Sequence, residues 1–230
     1  KENIYNIISK KKMKFLCLIP ARKNSKRLKN KNFQKIKREM LIEKTLKLAS
    51  SINKFDNILL SSDNSNLLKV LKRYPKIKFL KRPSKLAKDQ TKMKEVIQHA
   101  INQLKKEGKN FDAVVLLQPT SPLRKKTTIL RSIKKFQKLK PDFLTSIKVL
   151  KHNETPNMSF RFLNIQKIKR LNIHIKQYNN DWYCLDGGTV FIFKVPGTYS
   201  MQGKGAFIKV EFPENIDIDT KQDLILVKKF

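Results

Sequence analysis

The stretch Phe15-Leu-Cys-Leu-Ile-Pro-Ala-Arg-Lys-Asn-Ser-Lys-Arg-Leu-Lys-Asn-Lys-Asn32 sets the reading of the whole chain. Residues 15–19 form a short apolar run of strand length. The loop after it carries Arg22, Lys26, Arg27 and Lys31 beside the hydrogen-bonding side chains of Asn24, Ser25, Asn30 and Asn32. Where a strand of an α/β sheet ends in such a loop, the fold usually holds a charged ligand. The density of cations suits a polyphosphate. All six glycines lie at Gly108 or later. The loop therefore lacks the glycine cradle of a P-loop or a dinucleotide fingerprint, where backbone must approach phosphate. Side chains have to grip instead, Arg22 with a planar fork and Lys26 with a compact charge. The plainer alternative is a solvated basic loop in a lysine-rich chain.

Outward from this stretch, helical and strand-like patterns alternate. Helical spacing covers 41–52, 67–74, 93–107 and 127–139, with Gly108 as the stop of the third. Strand-like runs occupy 57–62, 77–80 and 112–117, the last almost continuously apolar, as a parallel strand covered on both faces should be. This alternation predicts an α/β fold, a doubly wound (Rossmann-like), mostly parallel sheet. After Val149 the rhythm breaks. Residues 150–185 read as an inserted β-rich excursion, a substrate wall or dimer contact. Strands resume at 188–193 and 207–212, and a helix begins at Lys221. Residues 13–230 are expected to form one domain, with 1–12 as an N-terminal extension or tag remnant.

The formal charge is +34, from 52 Lys+Arg against 18 Asp+Glu. Basic patches bind nucleic-acid phosphates, but here lysines are spread along the whole chain and far outnumber arginines. Asn and Ile are also abundant, so AT-rich codons account for the excess. No zinc-finger spacing or aromatic RNA-binding motif appears. Neither a nucleic acid nor a membrane is expected as a partner, because no apolar run approaches the ~18–20 residues of a span. Cys17 and Cys184 lie far apart in apolar runs and read as buried free thiols of a reducing, cytoplasmic compartment.

Four further constellations stand at predicted strand ends or beyond. In Asn215-Ile-Asp-Ile-Asp-Thr220, alternation on an extended segment puts Asp217 and Asp219 on one side, roughly 6–7 Å apart. Ile216 and Ile218 face the other way. Such a pair suits Mg2+, with Mn2+ as a substitute, held by few carboxylates and by substrate phosphates. Helix capping competes, since Thr220 with Asp223 resembles a capping box. It leaves Asp217 unexplained. Leu117-Gln-Pro-Thr-Ser-Pro-Leu-Arg124 is a rigid proline bend that offers Gln118, Thr120, Ser121 and Arg124. Ser61-Ser62-Asp63 ends another strand, and Arg82-Pro-Ser-Lys-Leu-Ala-Lys-Asp89 leads into a helix.

In this order the motifs resemble the acylneuraminate cytidylyltransferase family, the CMP-sialic acid synthetases and their bacterial relatives. The resemblance spans nearly the whole chain after Met13. It implies transfer of CMP from CTP to the anomeric hydroxyl of a sialic-acid-like 2-keto-3-deoxy sugar acid, an ulosonic acid, with release of pyrophosphate. It also implies a homodimer through residues 150–185. Arg22, Lys26, Gln118 and Asp219 would be catalytic. Ala21, Arg22, Asn24, Ser25, Lys31, Asn32, Arg82, Ser121 and Arg124 would form the nucleotide site. Gln118, Thr120, Asp186 and Gly187 would meet the sugar, and Asp217 and Asp219 would hold Mg2+. A cation- and metal-based site agrees with phosphoryl-type transfer, which depends on positioning and charge stabilisation.

Two departures from the family pattern mark this chain. Lys23-Asn24 and Lys29-Asn30 stand where relatives carry Gly-Gly and Pro-Gly, with asparagine the residue best able to adopt left-handed backbone there. Asp186-Gly187-Gly188 stands where sialic-acid enzymes often carry Asn-Gly, so the acceptor is not restricted to N-acetylneuraminate. A 3-deoxy-manno-octulosonate cytidylyltransferase is the nearest alternative. A non-catalytic nucleic-acid-binding protein on the same scaffold is the alternative of another class.

Overall fold

The computed structural model describes residues 12–25, 27–150, 160–164, 167–170 and 183–230. Lys26 of the basic loop and most of the 150–185 segment lie outside them. The chain opens with β1 (Phe15–Pro20), every residue of which is buried. A short 3-10 turn (Lys31–Phe33) and a two-residue hairpin, β2 (Lys35–Ile36) with β3 (Glu39–Met40), lead into helix α1 (Leu41–Ser50). Then follow β4 (Asn57–Ser62), α2 (Leu67–Leu71), β5 (Ile77–Lys81), α3 (Met93–Lys106), β6 (Ala113–Leu116) and α4 (Lys126–Leu139). The second half adds β7 (Phe143–Val149), an antiparallel hairpin of β8 (Phe160–Asn164) and β9 (Lys167–Arg170), and β10 (Tyr183–Leu185). It ends with β11 (Phe191–Lys194), β12 (Gly205–Lys209) and α5 (Lys221–Val227).

The main sheet runs β10-β7-β11-β6-β1-β4-β5, with β12 on the other side of β7. Strand β1 pairs in parallel with both β4 and β6, and β4 with β5. Strand order therefore reverses at β1, which makes the crevice between the carboxyl ends of β1 and β6 the switch point. Strand β11 pairs antiparallel with β6 and β7. The sheet is doubly wound, as the alternation predicts. Phe15, Cys17 and Ile19 pack with α1, α2 and α4 on one face, while Leu16 and Leu18 pack with Ile97, Ala100 and Leu104 of α3 on the other.

Several elements depart from the sequence reading. Strand β7 and the β2–β3 hairpin have no counterpart in it. Ser146, in the middle of β7, is fully buried, with its hydroxyl bonded to Asp186 and to the Val190 carbonyl. Tertiary partners thus satisfy a polar residue that breaks the apolar pattern. The late strands begin elsewhere than expected because Asp186–Val190 is spent on a turn. Cys184 is only partly buried, not buried as read, because β10 extends past the end of β11 along β7.

Phe136 of α4 fills the junction with β1, its ring edge-on to Phe15 at 6.4 Å between centroids. Phe136→Ala should cost roughly 3–5 kcal/mol of unfolding free energy in denaturant titrations. A loss below ~1 kcal/mol would contradict this packing.

Candidate active site

The crevice at the switch point holds a cavity of about 420 Å³. Its walls include Arg22, Ser25, Arg27, Lys31 and Asn32 from the first loop, Arg82 and Asp89 from the stretch after β5, and Gln118 and Thr120 after β6. The loop is built by its own side chains. Ser25 Oγ donates to the Leu28 carbonyl at 2.6 Å and accepts the Lys31 N–H at 2.9 Å. Asn32 donates from its amide to the Arg22 carbonyl at 3.1 Å. Asp63, at the end of β4, accepts the Lys23 N–H at 2.8 Å. Asn30 occupies the left-handed region at φ 53°, so here asparagine takes up a conformation that glycine usually supplies. Asn24 does not have positive φ.

Arg22 is paired with Asp89 across the cavity. Arg82 is buried and bonds Ser61 through both its hydroxyl and its carbonyl, at 3.2 and 2.8 Å. Burial lowers the Arg82 guanidinium to about 10, Asp63 opposing and Arg22 adding to the fall, so it remains charged at neutral pH.

Asp219 and Asp217 stand between this cavity and a second one of about 730 Å³. The second is lined by Lys148, Leu185, Asp186, Gly187, Lys209 and Phe212, together with both carboxylates. The segment is tied to the β6 loop by the Ile218 N–H, which donates to the Thr120 carbonyl at 2.8 Å. Ile216 and Ile218 are buried against Leu224 and Val227, which turns Asp217 and Asp219 outward. The alternation in the sequence is thereby realised. Thr220 is the helix cap, its Oγ1 accepting the Asp223 N–H at 3.3 Å while Asp223 accepts the Thr220 N–H at 2.7 Å. Asp219 is free of that duty. Its two oxygens accept from Arg27 Nη1 and from Lys31 Nζ, the latter at 2.6 Å.

Asp217 is half-buried and accepts the Ser121 hydroxyl at 3.2 Å. Burial pushes its carboxyl above the ordinary 3.8 and Asp219 adds to the rise, while Thr120, Lys31 and Ser121 oppose it. Gly187 lies against it at φ +94°, where a Cβ would come within 2.5 Å of the Asp217 Cβ. A carboxylate held short of a counter-charge beside a second carboxylate suits a divalent cation. Among the described residues no cluster of three or more His, Cys, Asp or Glu competes for one. Two protein ligands, with phosphate and water completing the shell, match Mg2+.

Three residues expected at the ligands stand behind the site. Arg124 is buried outside the cavity lining and bonds the Gln118 carbonyl. It lies 3.5 Å from the Gly188 carbonyl. Burial brings it to about 10, with Asp217, Asp186 and Glu214 among the groups that oppose the fall. Ser121 is likewise buried and serves Asp217, and Ala21 is a buried link whose N–H donates to Ser61 at 2.9 Å. The physical reason is their partners: the Gln118 and Gly188 carbonyls hold Arg124, Asp217 holds Ser121, and the Ser61 carbonyl holds the Ala21 N–H. Asp186 lines the second cavity, but its Oδ1 accepts Ser146 Oγ at 2.8 Å and the Gly188 N–H at 3.1 Å, closing the turn. Thr120 lines the first cavity, not the second. Sequence reading missed Arg27 and Asp89 as partners of Asp219 and Arg22. Their place inside the two charged motifs was the only signal. Glu214 gave none: it is buried and accepts the Lys125 N–H at the start of α4 at 2.8 Å.

This is a Rossmann-like α/β fold, shared with solved synthetases and synthases. The solved structure of CMP:2-keto-3-deoxy-manno-octonic acid synthetase complexed with CTP superposes with a TM-score of 0.68 over 94% of this chain and 97% of that one. A 4-diphosphocytidyl-2C-methyl-D-erythritol synthase superposes at 0.67 over 95% and 98%. At 13% and 11% identity these two show the fold alone. A family model described as cytidylyltransferase matches residues 16–185, and the chain belongs to that family. Pseudaminic acid cytidylyltransferase of Campylobacter jejuni is 33% identical over 132 residues, 57% of each chain. N-acylneuraminate cytidylyltransferase of Escherichia coli is 32% identical over 126 residues, 55% of this chain and 29% of that one. The matches thus span little more than half of the first relative and under a third of the second. CMP-N,N'-diacetyllegionaminic acid synthase of Legionella pneumophila is 27% identical over 94% of this chain and 96% of its own.

The raised Asp217 carboxyl has a consequence for stability. The folded state binds this proton more tightly than the unfolded chain does, so the group lowers stability as pH rises through and above 3.8. Asp217→Asn should raise the Tm at pH 7 in metal-free buffer. The gain should vanish below about pH 3.8. A pH-independent difference in paired melts would contradict the assignment.

Proposed function

We propose that the protein transfers CMP from CTP to the anomeric hydroxyl of an ulosonic acid. The single observation that carries this reading is the pair of cavities linked at Asp219, which lines the second beside Asp217 and bonds Arg27 and Lys31 of the first. The basic cavity takes the triphosphate. Arg22, Arg27 and Lys31 face its phosphates, and Arg82 with the stretch to Asp89 holds the nucleoside end. The second cavity takes the sugar acid, with Lys148 as the cation for its carboxylate, since Lys209 is paired with Glu211 at 3.6 Å. Gln118, which lines the first cavity and lies against Gly188, is assigned to orient the acceptor from that side. Names of the relatives (pseudaminic, N-acylneuraminic and legionaminic acid enzymes) support a nine-carbon acceptor.

In the reaction the acceptor oxygen forms a bond to the α-phosphorus, the bond to the bridging oxygen breaks, and pyrophosphate leaves. Charge accumulates on the leaving group, where Arg22 and Lys31 stabilise it. Lys26 is assigned the same task from its place in the loop. Asp217 and Asp219 would hold Mg2+, which when bound supplies charge neutralisation for the phosphates. Asp219, engaged by two cations, is assigned to the metal. Burial pushes the Cys17 thiol far up, which removes it as a nucleophile.

Purified protein with CTP, Mg2+ and a panel of ulosonic acids should yield a CMP-sugar and pyrophosphate. Product mass identifies the acid, and separates nine-carbon acids from octulosonate. Asp217→Ala should lower turnover at least ~100-fold while the fold is retained. No product with any acid, or near-normal turnover in that variant, would overturn the reading.

A homodimer built through residues 150–185 belongs to the same proposal. Its support is the family resemblance and the short β8–β9 hairpin in that segment. Light scattering should give twice the chain mass, and a monomer at micromolar concentration would remove this part.

A further inference from the structure

The two acids between the cavities are not equally available. Arg27 Nη1 and Lys31 Nζ each meet a different oxygen of Asp219, so both faces of that carboxylate are directed at a cation. Arg27 and Lys31 line the basic cavity, and Asp219 lines the other. Arg22, a third cation of the same cavity, is likewise held by an acid, Asp89. The cations of this cavity are thus engaged by carboxylates. A divalent cation placed on Asp219 would sit against an ammonium and a guanidinium, and like charges at that range repel strongly. Asp217, by contrast, has hydroxyl contact and no direct cation partner among the described residues.

We propose that Arg27 and Lys31 form a latch on Asp219 that keeps the two-carboxylate site closed to a divalent cation until a triphosphate draws them away. The proposal rests on the reading of Asp217 and Asp219 as the metal site. A triphosphate outcompetes one carboxylate for the same two cations. When Arg27 and Lys31 turn to it, Asp219 is left beside Asp217 with no counter-charge, and the pair becomes a cation site. Nucleotide and metal then favour each other's binding, and the coupling is reciprocal. Arg27 is a positioning residue in this scheme: it acts through Asp219. Its side chain is 72% exposed, against 17% for Lys31, so it can be changed without disturbing the core.

The test reads Mn2+ binding in the absence of nucleotide by electron paramagnetic resonance, and CTP binding in EDTA by calorimetry. Arg27→Gln should bind Mn2+ about three- to fivefold tighter than the wild-type chain, the range that one exposed ion pair allows. Lys29→Gln removes a charge from the same loop with no bond to Asp219, and should bind Mn2+ as the wild type does. Asp219→Asn should tighten metal-free CTP binding by releasing both cations, and Asp217→Asn should not. If Arg27→Gln matches Lys29→Gln while Asp219→Asn loses Mn2+, the latch is overturned and the metal site stands. If neither Asp217→Asn nor Asp219→Asn changes Mn2+ binding, the metal reading fails, and the latch with it.

Discussion

The structure depends on the burial of β1 on both of its faces. No residue from Phe15 to Pro20 reaches solvent, and parallel partners flank the strand on either side. A strand placed this way has no room for a polar side chain along its length. Its polar business is displaced to its carboxyl end, where the Leu117 N–H still reaches the Leu18 carbonyl at 3.0 Å and the Ala21 N–H reaches Ser61 at 2.9 Å. These two bonds bring the loops that follow β1, β4 and β6 to one edge. The site is a by-product of a dry centre, and the reversal of strand order at β1 opens the crevice between those loops.

Against that frame, the excess of positive charge has a clear division of labour. The 52 basic residues include few that are buried, Arg82 and Arg124 being the fully enclosed ones among the described residues. Most lysines are solvated and add solubility more than structure. The acids are fewer and more specifically used. Asp63 pins the first loop, Glu214 accepts the Lys125 N–H where α4 begins, Asp186 closes a turn, and Asp223 completes a capping box. Burial works against the Asp223 carboxylate, yet the Thr220 hydroxyl and the backbone amides of Asp219 and Thr220 hold it below its ordinary range. In a chain this basic, an acid is seldom short of a cation. Asp217, with none bonded to it among the described residues, stands apart for that reason.

Much of this was legible from residue order. The apolar run 112–117 announced a central parallel strand, because burial on both faces leaves no polar alternation. The alternation of 215–219 announced which way Asp217 and Asp219 point, because Ile216 and Ile218 need the α5 helix to cover them. What residue order concealed was set by long-range partners. Ser146 reads as a strand breaker until Asp186, forty residues later, takes its hydroxyl. Arg124 reads as a ligand-facing cation, yet carbonyls at Gln118 and Gly188 hold it inside. The pairing of Asp219 with Arg27 joins residues 192 apart, and local pattern has no means of expressing it.

The turn at Asp186-Gly187-Gly188 shows how a departure from the family pattern can be self-consistent. Gly187 is required because its backbone lies against Asp217 and has positive φ, so any side chain there would displace the carboxylate. Gly188, at φ +131°, lets Gln118 approach, its amide nitrogen 3.3 Å from where a Cβ would stand. An asparagine at 186 would offer the same Oδ1 acceptor to Ser146 and Gly188. Its amide would then occupy the place of the buried Oδ2, which has no hydrogen-bond partner but lies in the field of the buried Arg124. A carboxylate there offsets a buried guanidinium, and an amide would not. The aspartate is thus matched to Arg124, and the turn it closes sets Gly187 against Asp217 and Gly188 against Gln118.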